Sequence, residues 1–534
     1  MSTVDTVSPT LTRAGLRRDL PYSHVDDHFI DGVWTPAADS ERNPVIDPAT
    51  DEVWGSVPAA TSAELDRAVT AAQASMNEWA SLTAAERAEY LVRIAEEIEA
   101  RSEDLARTNT LENGTPISET RGAAANAAGI FRHFATLSAW IDDEDIRDFP
   151  AAVDSYSVVR KDPIGVCALI APWNFPINLV VVKLAPALLA GCAVVIKPAS
   201  VTPLSIRFII DAVAAAGVPA GVVNLLTGPG RFGDALVRHP GISKVAFTGS
   251  TPVGRRIAAA CGELLRPVTL ELGGKSSAIV LPDADLEAMG RVLVRSCMRN
   301  TGQTCYISTR IIAPASRYDE VAEVVGRTIA EGRQGDPLAE DTVFGPVASR
   351  SQYTTVMEYI ASAHEEGALP VTGGAAAEVD IDGKAGMFIQ PTVFAEVTPQ
   401  MRIAREEIFG PVISILRYDD SQGSDEAVSL ANNTEFGLGG IVFGADAEAA
   451  QAVAEQVDSG SVGVNFFGSN HSAPFGGRHD SGLGVEELRQ SSPISRSTGS
   501  GETAQGATVP CATWHAASSH GYDRGDAVPA RVRR

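Results

Sequence analysis

The chain has 534 residues, 44% apolar and 21% charged, and its 43 Lys and Arg against 67 Asp and Glu leave a formal net charge of −24. That length exceeds the common single-domain range and supplies a large core. The acidic balance disfavours sequence-independent binding to nucleic acid. The longest apolar stretch, residues 177–190, contains Lys183 and Pro186 and is too short to span a bilayer.

The N-terminal segment is polar, carries Arg13, Arg17 and Arg18, and reads as neither signal peptide nor anchor. Residues 62–112 read as two helices, opened by capping boxes at Thr61 to Glu64 and Thr83 to Glu86. Residues 142–159 turn from charged to β-branched, the pattern of a strand pair reaching away from the body. From residue 163 short apolar strands alternate with helices: strands at 166–171, 193–196, 222–226 and 244–247, helices after Asn178 and at 203–216 and 234–239. Strict βα alternation implies a parallel sheet covered on both faces. A second alternating series runs from Ser277 to about Val464. The last 45 residues, from Gln490, are rich in Ser, Gly, Ala and Thr and read as a disordered tail. Six cysteines, Cys167, Cys192, Cys261, Cys297, Cys305 and Cys511, are too sparse for a disulfide framework. No metal-ligand spacing occurs among them, so no metal is expected. A reducing, cytoplasmic location is the expectation.

Cys305 follows Gly302-Gln303-Thr304, and Glu271 precedes Leu272-Gly273-Gly274. Each stands near glycine, where little bulk blocks a substrate or cofactor. A thiol can attack a carbonyl and hold the product as a thioester, and a carboxylate can activate the water that releases it. A free Cys is also commonly a small buried hydrophobe, a role that Cys297 in its apolar run fits better.

Other segments are individually equivocal. Gly228 to Gly233 matches the dinucleotide pattern GxGxxG, but no acidic residue follows between 235 and 262, and a plain tight turn fits equally. Phe247 to Gly254 ends a strand and offers Ser250 or Thr251 as N-cap with Pro252 in the first turn. That suits a pyrophosphate site or merely a well-capped helix. Asn174, between two prolines, can aim its amide at an oxyanion or simply form a turn. Lys197 stands at the carboxyl end of a strand, where α/β sheets bind ligands, although most lysines are only solvated.

Together these segments become recognisable. The chain resembles the NAD(P)-dependent aldehyde dehydrogenase superfamily, of the hydrolytic, carboxylate-forming kind, over roughly residues 28–488. The resemblance is carried by APWNFP (171–176), KP (197–198), FTGSTPVG (247–254), ELGGKS (271–276), GQTC (302–305), EEIFGPV (406–412) and PFGG (474–477) with SGLG (481–484), in family order. It implies a doubly wound parallel-sheet cofactor domain (28–142 and 163–276), a second α/β catalytic domain (277–470) and a small β oligomerisation flap (143–162). It also implies NAD as cofactor, a small-molecule aldehyde as substrate and a homo-oligomer, dimer or tetramer.

By the same resemblance Cys305 is the nucleophile, Glu271 the base that activates the deacylating water, and Asn174 with the Cys305 N–H the oxyanion hole. Lys183 matches a lysine that assists proton movement. Gly249 and Ser250 match pyrophosphate contacts, Lys197 an adenine-ribose contact, Glu407 the nicotinamide-ribose anchor with Phe409 beside the nicotinamide, and Trp173 and Gly230 the lining of the cofactor groove. The thiol is expected to be acidified by nearby N–H donors and by the cationic cofactor or Lys183.

Two departures stand out. Ser200 occupies a position where the family often carries a Glu that pairs with the ribose hydroxyls, so NADP is expected to be accepted alongside NAD. Nothing from Ser491 onward reads as the family's C-terminal strand, which puts a tetramer in question. Three competitors remain: a CoA-acylating dehydrogenase, which needs no water-activating base, a thiol esterase, which needs no nicotinamide site, and a silent scaffold.

Overall fold

A computed structural model describes residues 22–38, 41–142, 145–148, 156–487 and 512–518. Two sheets organise these residues. The first has eight strands, in the order Val33–Pro36, Asp27–Ile30, Val223–Leu225, Ala193–Lys197, Val166–Ile170, Lys244–Thr248, Val268–Glu271, Gly482–Leu483. Its central five are parallel, and antiparallel strands close both edges. The three strands that begin at Val166, Ala193 and Lys244 are buried along their whole length, as a sheet covered on both faces requires.

The strand order reverses direction on either side of Val166–Ile170. The crevice outside the carboxyl ends there is where doubly wound sheets bind ligands. The loops bearing Asn174 (after Ile170), Gly249 and Ser250 (after Thr248) and Leu272 to Gly274 (after Glu271) all leave the sheet at that end.

The second sheet has seven strands, in the order Leu369–Thr372, Thr392–Ala395, Val412–Tyr418, Arg310–Pro314, Ser277–Val280, Gly440–Phe443, Gly463–Val464, parallel except at the Leu369 edge. The chain therefore has the expected α/β architecture. Gly482–Leu483 pairs with Val268–Glu271, so the chain returns from the second sheet to the edge of the first.

Both capping boxes form. Thr61 and Glu64 exchange bonds, the Glu64 carboxylate accepting from the Thr61 N–H at 2.8 Å, and Thr83 and Glu86 do the same at 2.7 Å. Three helices rather than two fill this region, Ser62–Ser81, Ala84–Ala100 and Ser102–Asn113. Arg101, at φ −109° and ψ 10°, ends one helix and begins the next, a break that the continuous apolar period concealed. Trp79 in the first of them is fully buried and donates its indole N–H to the Leu188 carbonyl at 3.1 Å.

The strand pair read at 142–159 is present as Asp145–Asp148 against Tyr156–Pro163. The expectation that no strand follows Ser491 is corrected. Ala512–Ser518 pairs antiparallel with Tyr156–Pro163 along its whole length. The rest of the tail read as disordered lies outside the described residues.

Candidate active site

Two glycines bring the sites from the two sheets together. A Cβ on Gly274 would run into the Cys305 carbonyl, and one on Gly273 would run into the Glu407 carboxylate. These glycines therefore allow close approach between protein segments, rather than the open access for substrate expected from the sequence. Glu407 in turn accepts from the Gly274 N–H at 2.9 Å. The loop is pinned from behind: Ser481 accepts from the Gly437 N–H at 2.9 Å and donates to the Gly273 carbonyl at 2.6 Å, and the Leu272 N–H donates to the Ser481 carbonyl at 2.9 Å.

The Cys305 turn follows a π-helical turn, Val294–Met298, and runs through Asn300, Thr301 and Gly302 at φ 51°, 54° and 76°. Left-handed backbone at a β-branched residue such as Thr301 costs on the order of 1–2 kcal/mol. Here the Thr301 hydroxyl is locked between the Gly345 carbonyl (3.3 Å) and N–H (3.1 Å). Gly302 has no alternative, because a Cβ there would meet the Gly410 carbonyl. Asn174, 3% exposed, donates its side-chain N–H to the Gln303 carbonyl at 3.0 Å, which places the amide against the same turn.

The expected acidification of Cys305 is not found in the protein's own groups. Although residue 305 keeps some solvent contact, burial pushes its thiol up to about 12, and the charges of Glu407 and Glu271 add to the rise. The N–H groups of Cys305 and Tyr306 pull the other way and are outweighed. Lys183 does not help the thiol, because it is committed elsewhere: its ammonium donates to the Thr248 hydroxyl at 2.7 Å and pairs with Glu486 at 2.8 Å, all but fully buried.

Glu271 is 4% exposed and neither carboxylate oxygen has a hydrogen-bond partner in the protein. Burial first, then the charges of Glu486 and Glu487, hold its carboxyl well above the usual range, against the opposing pull of Lys183. A buried carboxyl held above its usual range beside an ion pair is an environment in which a carboxylate can act as a general base. Glu486 was not singled out from the sequence, since its pairing with Lys183 spans about 300 residues and no local pattern announces it.

The residues expected to contact the cofactor sit at strand and helix ends. The helix Thr251–Glu263 begins after Ser250, whose hydroxyl does not cap it, and a Cβ on Gly249 would strike the Phe247 ring. Lys197 is 5% exposed, lies against the Pro198 carbonyl at 3.1 Å, and burial pushes its ammonium down to about 8. Ser200 donates to the Gly228 carbonyl at 3.0 Å. Gly230 is the first residue of the helix Gly230–Arg238. Glu407 is half-buried, and loss of solvent around it pushes its carboxyl up to about 7. Phe409, at φ 56°, packs edge-on against Trp173 at 5.4 Å. Its strained backbone is held by Gln352, which donates to the Phe409 carbonyl at 2.8 Å. Bare glycine backbone, an uncapped helix N-terminus and a buried ammonium suit a dinucleotide. Of the twelve residues expected at the site, direct contacts join Cys305 to Gly274, Asn174 to Gln303, Glu407 to Gly274 and Trp173 to Phe409.

The model of the aldehyde dehydrogenase family matches residues 34–493. The chain belongs to this family. A geranial dehydrogenase from Castellaniella defragrans is 46% identical over 461 residues, covering 86% of this chain and 94% of that protein. Among solved structures, an aldehyde dehydrogenase mutant from Pseudomonas syringae, in complex with NAD+ and octanal, is 39% identical with a TM-score of 0.82, covering 87% of this chain and 93% of that one. An NADP-dependent enzyme from E. coli is 38% identical, with a TM-score of 0.82 and coverage of 86% and 94%. This aldehyde dehydrogenase is therefore an oxidoreductase that converts an aldehyde to a carboxylic acid with a nicotinamide cofactor. Among the described residues no helix is long and apolar enough to cross a membrane.

Proposed function

We propose that Cys305 attacks the aldehyde carbon, Asn174 and the Cys305 N–H hold the resulting oxyanion, and Glu271 deprotonates the water that releases the acid. The observation that carries this reading is the contact of three chain segments: Gly274 against Cys305, Asn174 against Gln303, and Glu271 at the end of the strand that feeds Gly274. Trp173, Lys197, Ser200, Gly230, Gly249, Ser250, Glu407 and Phe409 would hold the nicotinamide cofactor, which would supply the hydride acceptor for oxidation of the Cys305 adduct. Asn174 stabilises charge where it develops, on the former carbonyl oxygen. Glu271, whose carboxyl burial holds above its usual range, accepts a proton from water and passes it to the Lys183–Glu486 pair. The unpaired base supports hydrolysis over transfer of the acyl group to a thiol cofactor.

The proposed substrate is an apolar aldehyde. Tyr306, next to the nucleophile, packs edge-on against Phe467 at 5.4 Å and Phe475 at 6.2 Å, and Phe466 is half exposed. A relative named a geranial dehydrogenase and a solved relative in complex with octanal point the same way. For the cofactor, no carboxylate stands at position 200, and Ser200 does not repel a 2′-phosphate, so NADP is accepted alongside NAD. A panel of aldehydes followed by NADH and NADPH absorbance tests both points. Expected is a higher kcat/KM for aliphatic and terpenoid aldehydes than for charged ones, with measurable turnover on both cofactors. A preference for NAD above about a thousandfold, roughly 4 kcal/mol, contradicts the cofactor reading.

The assembly is a homo-oligomer built through the flap sheet of Asp145–Asp148, Tyr156–Pro163 and Ala512–Ser518. Light scattering that reports a monomer at micromolar concentration contradicts this.

A further inference from the structure

Three buried side-chain amides close a ring around the nucleophile's turn. Asn300 donates its Nδ2 to the Asn174 carbonyl at 3.0 Å, Asn174 donates its Nδ2 to the Gln303 carbonyl at 3.0 Å, and Gln303 donates its Nε2 to the Asn300 carbonyl at 3.1 Å. All three are at most 3% exposed. Asn174 comes from the loop above the first sheet, while Asn300 and Gln303 come from the turn above the second, so the ring ties the two sheets together beside Cys305.

The ring is braced from outside. Asn113 donates to the carbonyls of Trp173 (2.9 Å) and Asn174 (3.1 Å), and the Thr115 hydroxyl donates to Asn300 Oδ1 at 2.8 Å. The Thr115 N–H fixes Asn113 through its Oδ1 at 2.8 Å, and the Ala348 N–H holds Gln303 Oε1 at 2.9 Å. With both Nδ2 groups on backbone carbonyls, which only accept, the amide flips of Asn113 and Asn300 are determined. Asn300 also sits at φ 51°, a conformation that Asn tolerates better than most residues.

We propose that Asn300 is a positioning residue for the oxyanion step: it sets the place of the Asn174 amide relative to the Cys305 sulfur. The inference rests on Asn174 being the oxyanion donor. Asn300 does not touch the substrate. It holds the backbone from which Asn174 projects, and displacement of a positioned group by about 1 Å costs on the order of a hundredfold in rate.

The test compares Asn300→Gly, Asn174→Ala and the double variant of the full-length enzyme, saturated with NAD+. Asn300→Gly keeps the left-handed backbone accessible and removes the amide. Expected is a pre-steady-state NADH burst slowed by roughly ten- to a hundredfold with KM for aldehyde within about twofold. Alkylation of Cys305 by iodoacetamide, which develops no oxyanion, keeps its wild-type rate. The double variant is expected to be no slower than Asn174→Ala alone, because the two act through one group.

A loss of alkylation in step with the burst would mean that Asn300 merely shapes the nucleophile's turn, which overturns the proposal. Independent, multiplying losses in the double variant overturn it too. A slow Asn174→Ala beside a normal Asn300→Gly sinks this inference alone, whereas a normal Asn174→Ala sinks the oxyanion reading and the inference with it. Asn300→Ala removes the amide donor without adding a charge beside the thiol. It carries the same expectation if the glycine variant does not fold.

Discussion

Cys305→Ala is expected to lower kcat/KM for aldehyde oxidation by at least about four orders of magnitude, roughly 5 kcal/mol of lost transition-state stabilisation. Without the sulfur no covalent adduct forms, and neither Asn174 nor Glu271 has an intermediate to act on. No other described thiol can substitute. Cys297, eight residues upstream, is fully buried in the π-helical turn and burial pushes its thiol up to about 12. Cys167, Cys192 and Cys261 are buried in the cores packed against the first sheet. Cofactor binding is expected to persist, measured by fluorescence titration with NADH, since the contacts expected at Gly249, Ser250 and Lys197 do not involve the thiol. Retained turnover in this variant would mean that the nucleophile has been misassigned.

Glu271→Gln is expected to separate the two halves of the reaction. Gln keeps the shape and cannot take a proton from water. A first turnover should release close to one NADH per active site, after which the steady-state rate falls by roughly a hundred- to ten-thousandfold. The pH profile gives the sign of the effect. Burial and the neighbouring Glu486 and Glu487 hold the Glu271 carboxyl above its usual range. Deacylation in the wild type should therefore rise with pH as that carboxyl ionises, and this limb should vanish in the Gln variant. A second consequence concerns the thiol. Glu271 contributes to the elevation of Cys305, so its neutralisation should speed alkylation of Cys305 at a fixed pH. Unchanged steady-state turnover in Glu271→Gln would remove Glu271 from the role of base.

Local motifs disclosed the residues that act through their own chemistry. Cys305, Glu271 and Asn174 each sit in a short segment whose turn is written in its glycines and prolines, and βα alternation placed the Asn174 segment at one end of a parallel sheet. What stayed hidden depends on contact across the fold. Glu486 becomes meaningful only when Gly482–Leu483 joins the first sheet and brings the carboxylate to Lys183. Asn300 looks like a loop residue until its amide meets the Asn174 carbonyl. The strand Ala512–Ser518 lies in a stretch rich in Ala and Ser with low strand propensity, and its form comes from pairing with Tyr156–Pro163. The protonation state of Cys305 was misjudged for a related reason: sequence shows which cations exist, but not that Lys183 is already spent on Glu486, nor that two carboxylates face the sulfur.

The most direct measurement is mass spectrometry of Glu271→Gln, acid-quenched after a single turnover with NAD+ and an apolar aldehyde. The account predicts one acyl group per chain, its mass that of the substrate less one hydrogen, in place of the thiol proton on the peptide that carries Cys305. An unmodified chain after NADH release, or an acyl group on any other residue, would contradict it.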